Sequence, residues 1–190
     1  MSTTVFILML LGLVFAIYAG LAIHAYVRMR GQRVVVCPET DKPAGVTVDA
    51  MRAAISAVWE MPEVRLVSCT RWPGRAGCNQ ACAGQIAVDP KGTLAARMLK
   101  NWYAGRTCSV CRRPIGRVTG GEPRPGLLNL ASPSHEILSW DDVPPDQLSA
   151  ALATHLPVCA NCHVAESFRR QFPDLVTDRA ATDQRDLVMH

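Results

Sequence analysis

The apolar residues divide the chain into one long uninterrupted run and a remainder of short amphipathic segments. From Val5 to Val27 there is no Asp, Glu, Lys or Arg, and nearly every residue is apolar or glycine. A helix of this length would be about 35 Å long, more than the roughly 30 Å hydrocarbon core of a bilayer. A core helix of a soluble protein would show a polar face over such a length. The run therefore predicts a transmembrane helix that contacts the lipid bilayer through residues 5–27.

The residues that flank this run predict its orientation. The segment MSTT precedes it without a basic residue, whereas Arg28, Arg30 and Arg33 follow it. Because basic residues are enriched at the cytoplasmic end of membrane helices, we expect the N-terminus outside and the rest of the chain in the cytoplasm. The expected location is a bacterial inner membrane, crossed once. A cleaved signal peptide, which would need a basic start, is the less favoured alternative.

Shorter patterns predict an α+β region after the membrane helix. Residues 34–48 contain two Val-rich runs separated by Pro, Asp and Gly, which is typical of two strands and a turn. Apolar positions at helical spacing predict a helix within residues 48–61, and residues 64–69 predict a third strand. A short helix is expected to start near Cys78.

The second half contains further segments of the same kind. Residues 93–105 predict a helix with Thr93 as its cap and Gly105 as its stop. We also expect a turn running into a strand at 108–118, strands at 127–130 and 135–140, and helices at 144–155 and 159–171. The predicted segments are a membrane helix with its flank (1–33), a first metal-binding unit (34–90), a second (91–172) and a polar tail (173–190).

Charge adds little to this picture. The chain has 20 Lys and Arg against 16 Asp and Glu, a net charge of +4, and aromatic residues make up 6%. Nucleic acid is therefore not an expected partner. Basic residues occupy 91–117 without an acid, and acids occupy 125–168 without a cation before Arg169. The favoured explanation for these separate basic and acidic segments is that each forms a solvated face of the fold. The alternative is that the basic face contacts anionic lipid headgroups.

Eight cysteines carry the candidate chemistry, since cytoplasmic cysteines indicate metal or redox sites more often than disulfides. Two CxxC pairs can place four thiolates around one tetrahedral zinc ion. Four thiolates and Zn²⁺ carry a net charge of −2, which Arg112 and Arg113 would offset. These four residues, here called the second cysteine set, are Cys108, Cys111, Cys159 and Cys162.

The other four cysteines, here called the first cysteine set, are Cys37, Cys69, Cys78 and Cys82. The spacing of Cys78 and Cys82 would put both on one face of a helix. Cys37 and Cys69 fall at a predicted turn and a predicted strand end, where a sheet could present them to that helix. We expect a second zinc ion here, so two per chain. Buried free thiols and an iron–sulfur cluster remain open alternatives.

His163 follows the last CxxC pair, and the segment Cys-Ala-Asn-Cys-His also matches the motif for c-type haem attachment. Haem is the less favoured cofactor, because such attachment does not normally occur in the cytoplasm. We expect the His163 ring to lie beside the metal ligands and to hydrogen-bond a thiolate or a carbonyl.

The order of a CxxC turn, strands and a helix that carries two further ligands resembles a treble-clef zinc finger over residues 107–171. His135 and His163 also match metal-binding positions of the HNH nucleases, which share this fold. The expected Asn is missing, and Ser134 replaces the usual acid. The cysteine-containing runs after Gly31 resemble small bacterial membrane-anchored cysteine-rich proteins of unassigned function, which implies metal ligands but no activity.

Neither a phosphate-binding glycine loop nor a nucleophile motif occurs, so no catalytic residue is predicted. We expect a non-enzymatic scaffold or accessory subunit that docks a protein partner in a larger membrane complex. A redox protein with iron–sulfur or haem is the first alternative, and a degenerate HNH-like nuclease is the second.

Overall fold

A computed structural model describes residues 3–74, 77–118, 123–130 and 136–175, which form a mixed α and β structure. The helices are α1 (Thr3–Met29), α2 (Ala50–Ser56), α3 (Ala83–Val88), α4 (Ala95–Tyr103), α5 (Leu148–Thr154) and α6 (Ala160–Gln171). The strands are β1 (Gln32–Cys37), β2 (Lys42–Val48), β3 (Leu66–Cys69), β4 (Gly126–Asn129), β5 (Ile137–Ser139) and β6 (His155–Val158). Two compact units divide the chain: unit one is Met1–Trp102 with Val143–Ala151, and unit two is Tyr103–Asp142 with Leu152–His190.

The apolar run forms one helix, α1, which is long and apolar enough to cross a membrane. Its large apolar side chains from Val5 to Ile17 are exposed in the protein alone. Lipid is the environment in which such a surface is stable, because hydrocarbon covers apolar side chains and the helix satisfies its own backbone. The predicted membrane helix is confirmed at this level of length and composition.

Unit one contains a three-stranded antiparallel sheet in the order β1–β2–β3. The predicted strand–turn–strand is a hairpin that pairs Gln32 with Thr47 and Cys37 with Lys42. Both faces of β2 are covered, and a Cβ added to Gly45 would come within 2.7 Å of Pro145. This close approach explains the glycine, since any larger residue would displace the turn at Pro145–Gln147. The core comprises Met29, Val35, Ala44, Val46, Val48, Ala53, Leu66, Cys82 and Ile86.

One local prediction in unit one holds only in part, and a second that depends on it is wrong. The helix expected to start near Cys78 starts at Ala83 instead, with Cys82 as its N-cap. Gln80 adopts a positive φ of 56°, and its Oε1 accepts a hydrogen bond from the Leu66 N–H at 3.0 Å. This contact with β3 holds the backbone out of the helix. Cys78 and Cys82 therefore do not share a helix face.

Helix α4 confirms its predicted stop, because Gly105 follows it with a φ of 74° that glycine adopts without strain. Thr93, the predicted N-cap, makes a different contact. Its hydroxyl donates to the Asp89 carbonyl at 3.1 Å instead of accepting from the first turn of the helix. The strand expected within 108–118 does not form. The described residues there show a single β-bridge between Thr107 and Pro114.

Arg33, one of the three basic residues that follow the apolar run, is fully buried. Its guanidinium donates to the Arg28 carbonyl at 2.6 Å, to the Thr93 hydroxyl at 3.1 Å and to the Pro90 carbonyl. Burial, followed by the charge of Arg28, lowers the pKa of Arg33. The side chain thus joins the last turn of α1 to the loop before α4.

Unit two contains a second antiparallel sheet in the order β5–β4–β6. Its core is small, and it includes Tyr103, Leu127, Trp140 and Val158. The Tyr103 hydroxyl donates to the Gly126 carbonyl at 2.7 Å, and burial raises the pKa of this phenol. The predicted last helix is confirmed as α6, which ends at Gln171. A core of this size rarely stabilises a fold without a disulfide or a metal ion.

Candidate metal centre

The first half of the centre is a tight turn that carries Cys108 and Cys111. The Cys108 N–H donates to the Arg113 carbonyl at 2.8 Å, and the Arg112 N–H donates to the Cys108 carbonyl at 2.9 Å. Arg112 has a φ of 61°, the left-handed conformation that closes such a turn. The turn buries Cys108 and leaves Cys111 exposed.

The second half is the junction of β6 and α6. Cys159 is the N-cap of α6, and Cys162 lies in its first turn. Strand β6 is fixed by pairing with β4, in which Val158 lies opposite Gly126. The junction therefore presents both thiols at the start of a helix, as predicted, and at the end of strand β6, which the sequence did not predict.

Direct hydrogen bonds hold the two halves together. Both the N–H and the hydroxyl of Ser109 donate to the Pro157 carbonyl at 2.9 Å. The Cys159 N–H donates to the Cys108 sulfur at 3.2 Å. Residues 51 positions apart are thus fixed at hydrogen-bond distance.

The four sulfur atoms of the second cysteine set lie within 4.8 Å of one another. The Sγ atoms of Cys111 and Cys159 are 3.7 Å apart, far beyond a disulfide bond of about 2.05 Å. A tetrahedron with metal–sulfur bonds of about 2.3 Å has edges of about 3.8 Å. The four cysteines could therefore hold a metal ion, and their arrangement is consistent with zinc or with an iron–sulfur centre.

The thiols differ in their readiness to ionise. Burial alone would raise the pKa of Cys108, but the N–H groups of Cys159, Cys111 and Val110 lower it to about 6. Burial and the neighbouring thiols raise the pKa of Cys162 to about 12, and burial raises the pKa of Cys159. One thiolate forms readily, and a cation would favour ionisation of the others.

A cleft of about 490 Å³ opens beside the cluster within unit two. Its lining includes Cys111, Cys159 and Cys162 together with Arg113 and Arg117. Positive charge in this cleft would offset the negative charge of a metal–tetrathiolate. Of the two arginines named in the sequence analysis, Arg113 lines the cleft and Arg112 does not.

His163 lies next to this cluster without joining it. Its Nδ1 is 2.9 Å from the Arg124 carbonyl, so this nitrogen donates to the oxygen. The ring thereby links α6 to the segment before β4, which confirms the expected hydrogen bond to a carbonyl. His135, the other residue of the HNH comparison, lies outside the described residues.

The first cysteine set lies within unit one but is less closely gathered. Cys69 ends β3, as predicted, whereas Cys37, expected at a turn, is the last residue of β1. Burial raises the pKa of Cys82, and the charges of Cys69, Cys78 and Cys37 raise it further. Cys37 and Cys69 pack against the core cluster that contains Cys82. Among the described residues, however, only the second set brings its ligand atoms within 4.8 Å, and the zinc ion at the first set stays a prediction.

Comparisons with protein-family models, with curated proteins and with solved structures give no match for this chain. The geometry of unit two and the apolar helix of unit one are therefore the basis for a functional assignment.

Proposed function

We propose that this chain is a single-pass membrane protein that binds zinc and acts as a non-enzymatic scaffold or accessory subunit. In this proposal the protein docks a partner at the cytoplasmic face of a bacterial inner membrane. The observation that carries it is the closed set of four thiols in unit two. Four protein ligands fill a tetrahedral zinc site, whereas catalytic zinc keeps one position for water or substrate.

The sulfur spacing favours a single ion in this proposal. The 3.7 Å separation of Cys111 and Cys159 is close to one edge of a tetrahedron around one metal. A cluster of several irons and sulfides would hold its thiolates farther apart. The order of turn, β4–β5 hairpin and α6 supports a treble-clef-like unit, in which the ion replaces the large core that unit two lacks.

The membrane part of the proposal depends on α1 and its flank. Arg28 and Arg30 follow the apolar run, so the positive-inside rule favours the cytoplasm for the metal centre. A domain confined to a bilayer meets membrane partners at a raised effective concentration. This advantage supports a docking role for a small anchored module.

Elemental analysis of the full chain, purified from membranes in mild detergent, tests the metal. We expect a colourless protein with two zinc ions per chain, one of them at the second cysteine set. Iron with visible absorption would instead establish the redox alternative, because zinc does not absorb visible light.

Native electrophoresis of solubilised membranes tests the docking role. Wild-type protein is expected to migrate in an assembly larger than itself, and Cys108→Ser is expected to lose that assembly while remaining in the membrane. Migration of the wild type as a free monomer would contradict the scaffold proposal without affecting the zinc assignment.

A further inference from the structure

A row of exposed apolar side chains lies on α2 and the turn that follows it. Met51, Ile55 and Trp59 are spaced four residues apart, and Met61 continues the patch. Trp59 is 79% exposed and Met61 is 88% exposed, and the other two are 61% exposed. Contiguous apolar surface of this kind marks a contact with another molecule or with a membrane. We call these four residues the α2 row.

The α2 row lies beside the apolar helix α1. The rings of Tyr18 and Trp59 are in contact, with centroids 6.0 Å apart and planes at 32°. Farther along, Ala25 and Met29 of α1 are buried, as is Ala53 of α2. Tyr18 precedes Met29 by eleven residues, which corresponds to about 16 Å along a helix. Trp59 therefore lies alongside α1, about three turns before its end.

The length of α1 sets the depth of this contact. A membrane-crossing helix needs about 20 residues, and the segment Thr3–Met29 has 27. The part that precedes Tyr18 would span only about 22 Å at 1.5 Å per residue, short of a hydrocarbon core of about 30 Å. Tyr18 must therefore lie inside the bilayer if α1 crosses it, and Trp59 lies at the same level.

We propose that the α2 row is inserted in the bilayer, with Trp59 about 8 Å below the boundary between lipid headgroups and acyl chains. Tryptophan is enriched near this boundary, where its ring is in apolar surroundings and its N–H reaches polar groups. Beside the row, Arg52 and Glu63 form an ion pair at 2.8 Å. Pairing lowers the cost of holding both charges close to lipid. The inference rests on the proposed membrane span of α1.

Fluorescence quenching of the full chain in lipid vesicles tests the inserted row. We expect acyl-chain-brominated lipids to quench a component of the tryptophan emission that aqueous iodide does not reach. Trp59→Phe should remove that component. Trp72→Phe, a change in a partly buried tryptophan of the same unit, should leave it in place.

A Trp59 component that iodide quenches and brominated lipid does not would overturn the insertion of the α2 row. Failure of the protein to float with vesicles would instead show that α1 is not a membrane anchor. The two failures are therefore distinguishable.

A second inference has an independent basis, a cleft of about 550 Å³ where α1 approaches the loop between α3 and α4. Cationic and apolar side chains line it together. Val88 projects at its edge with 87% exposure. The cations are Arg28, Lys91 and Arg97, and the apolar side chains are Val27, Val88 and Leu94.

Among the described residues that line this cleft, three are cationic and one, Asp89, is anionic. Within the described ranges, none of the three cations forms an ion pair with a carboxylate. Asp89 also lines the cleft, but its Oδ1 accepts a hydrogen bond from the Gly92 N–H at 2.8 Å. The local excess of positive charge would attract an anion, and the valines beside it would attract hydrocarbon.

We infer that this cleft binds one anionic phospholipid. Arg28 is the first charged residue after the apolar run, so it lies at headgroup level if α1 crosses the bilayer. Lys91 and Arg97 would bind the headgroup phosphate with it, while Val27 and Val88 contact the upper part of an acyl chain. This assignment rests on the membrane span and is independent of the metal.

The proposed lipid site is tested by measuring which lipid stays bound to the protein during purification. The full chain is reconstituted in bilayers of phosphatidylglycerol and phosphatidylcholine, extracted in mild detergent and examined by native mass spectrometry. We expect one retained phosphatidylglycerol, and at least a fivefold loss of it in Lys91→Gln/Arg97→Gln. Lys42→Gln, which removes an exposed cation from the start of β2, serves as the control and should retain the lipid.

Equal retention of phosphatidylcholine, or full retention by the double variant, would overturn the lipid site. Displacement of the lipid by millimolar glycerol phosphate would also overturn it, because the cleft would then recognise a soluble phosphate without the acyl chain.

Discussion

Replacing Cys108 by serine is expected to abolish metal binding at the second cysteine set and to unfold unit two. Cys108 is fully buried, and its sulfur accepts the Cys159 N–H that joins the two halves of the centre. A structural zinc ion contributes on the order of 10 kcal/mol of apparent binding energy, comparable to the whole stability of a domain. Elemental analysis should show one ion fewer per chain, and limited proteolysis should show rapid cleavage within residues 103–142.

Val110→Ala is the matched control for this change, because Val110 is an exposed non-ligand in the same turn. It should leave metal content and protease resistance unaltered. A strong chelator added to the wild type should reproduce the cleavage pattern of Cys108→Ser. Full metal content in Cys108→Ser, with undiminished resistance, would contradict the assignment of this cysteine as a ligand.

Replacing Arg33 by methionine should destabilise unit one by about 3 kcal/mol, since one buried and two partly buried acceptors would lose a charged donor. Methionine keeps much of the side-chain volume, so the loss reports on the hydrogen bonds to Arg28, Pro90 and Thr93. Hydrogen exchange followed by mass spectrometry on the full chain should show faster exchange in β1 and in the loop before α4.

Arg30→Met provides the comparison, because the Arg30 side chain is exposed three positions earlier in the same flank. A surface change of this kind usually alters stability by less than about 0.5 kcal/mol. Equal exchange rates in the two variants would show that the buried contacts of Arg33 do not hold unit one together.

Several parts of this structure could be predicted because the responsible forces act over short stretches of sequence. Lipid requires an unbroken apolar run, and Val5–Val27 supplies one. Two CxxC pairs define a four-thiolate set, which Cys108 and Cys159 confirm by their contact. Gly105 marks a helix end because few other residues adopt its φ without strain.

Other parts depend on contacts between residues that are distant in sequence. In the sequence Arg33 is one of three cations that follow the apolar run. Its burial depends on a hydrogen bond to the Pro90 carbonyl, 57 positions away, which the local sequence does not reveal. Gln80 breaks the expected helix because its side chain bonds β3, 14 positions earlier. The clefts in the two units likewise arise from packing, and no local pattern of polarity indicates them.

The separation of the two CxxC pairs has a consequence for synthesis of the protein. Cys108 and Cys159 are 51 positions apart, so a ribosome that adds about 5–20 residues per second completes the centre roughly 3–10 s after the first pair is made. During that interval the first pair can bind a metal with two thiolates only. Helix α1 is translated well before either pair. If α1 spans a membrane, the growing chain can therefore enter it first and bind a metal ion afterwards, at the bilayer surface.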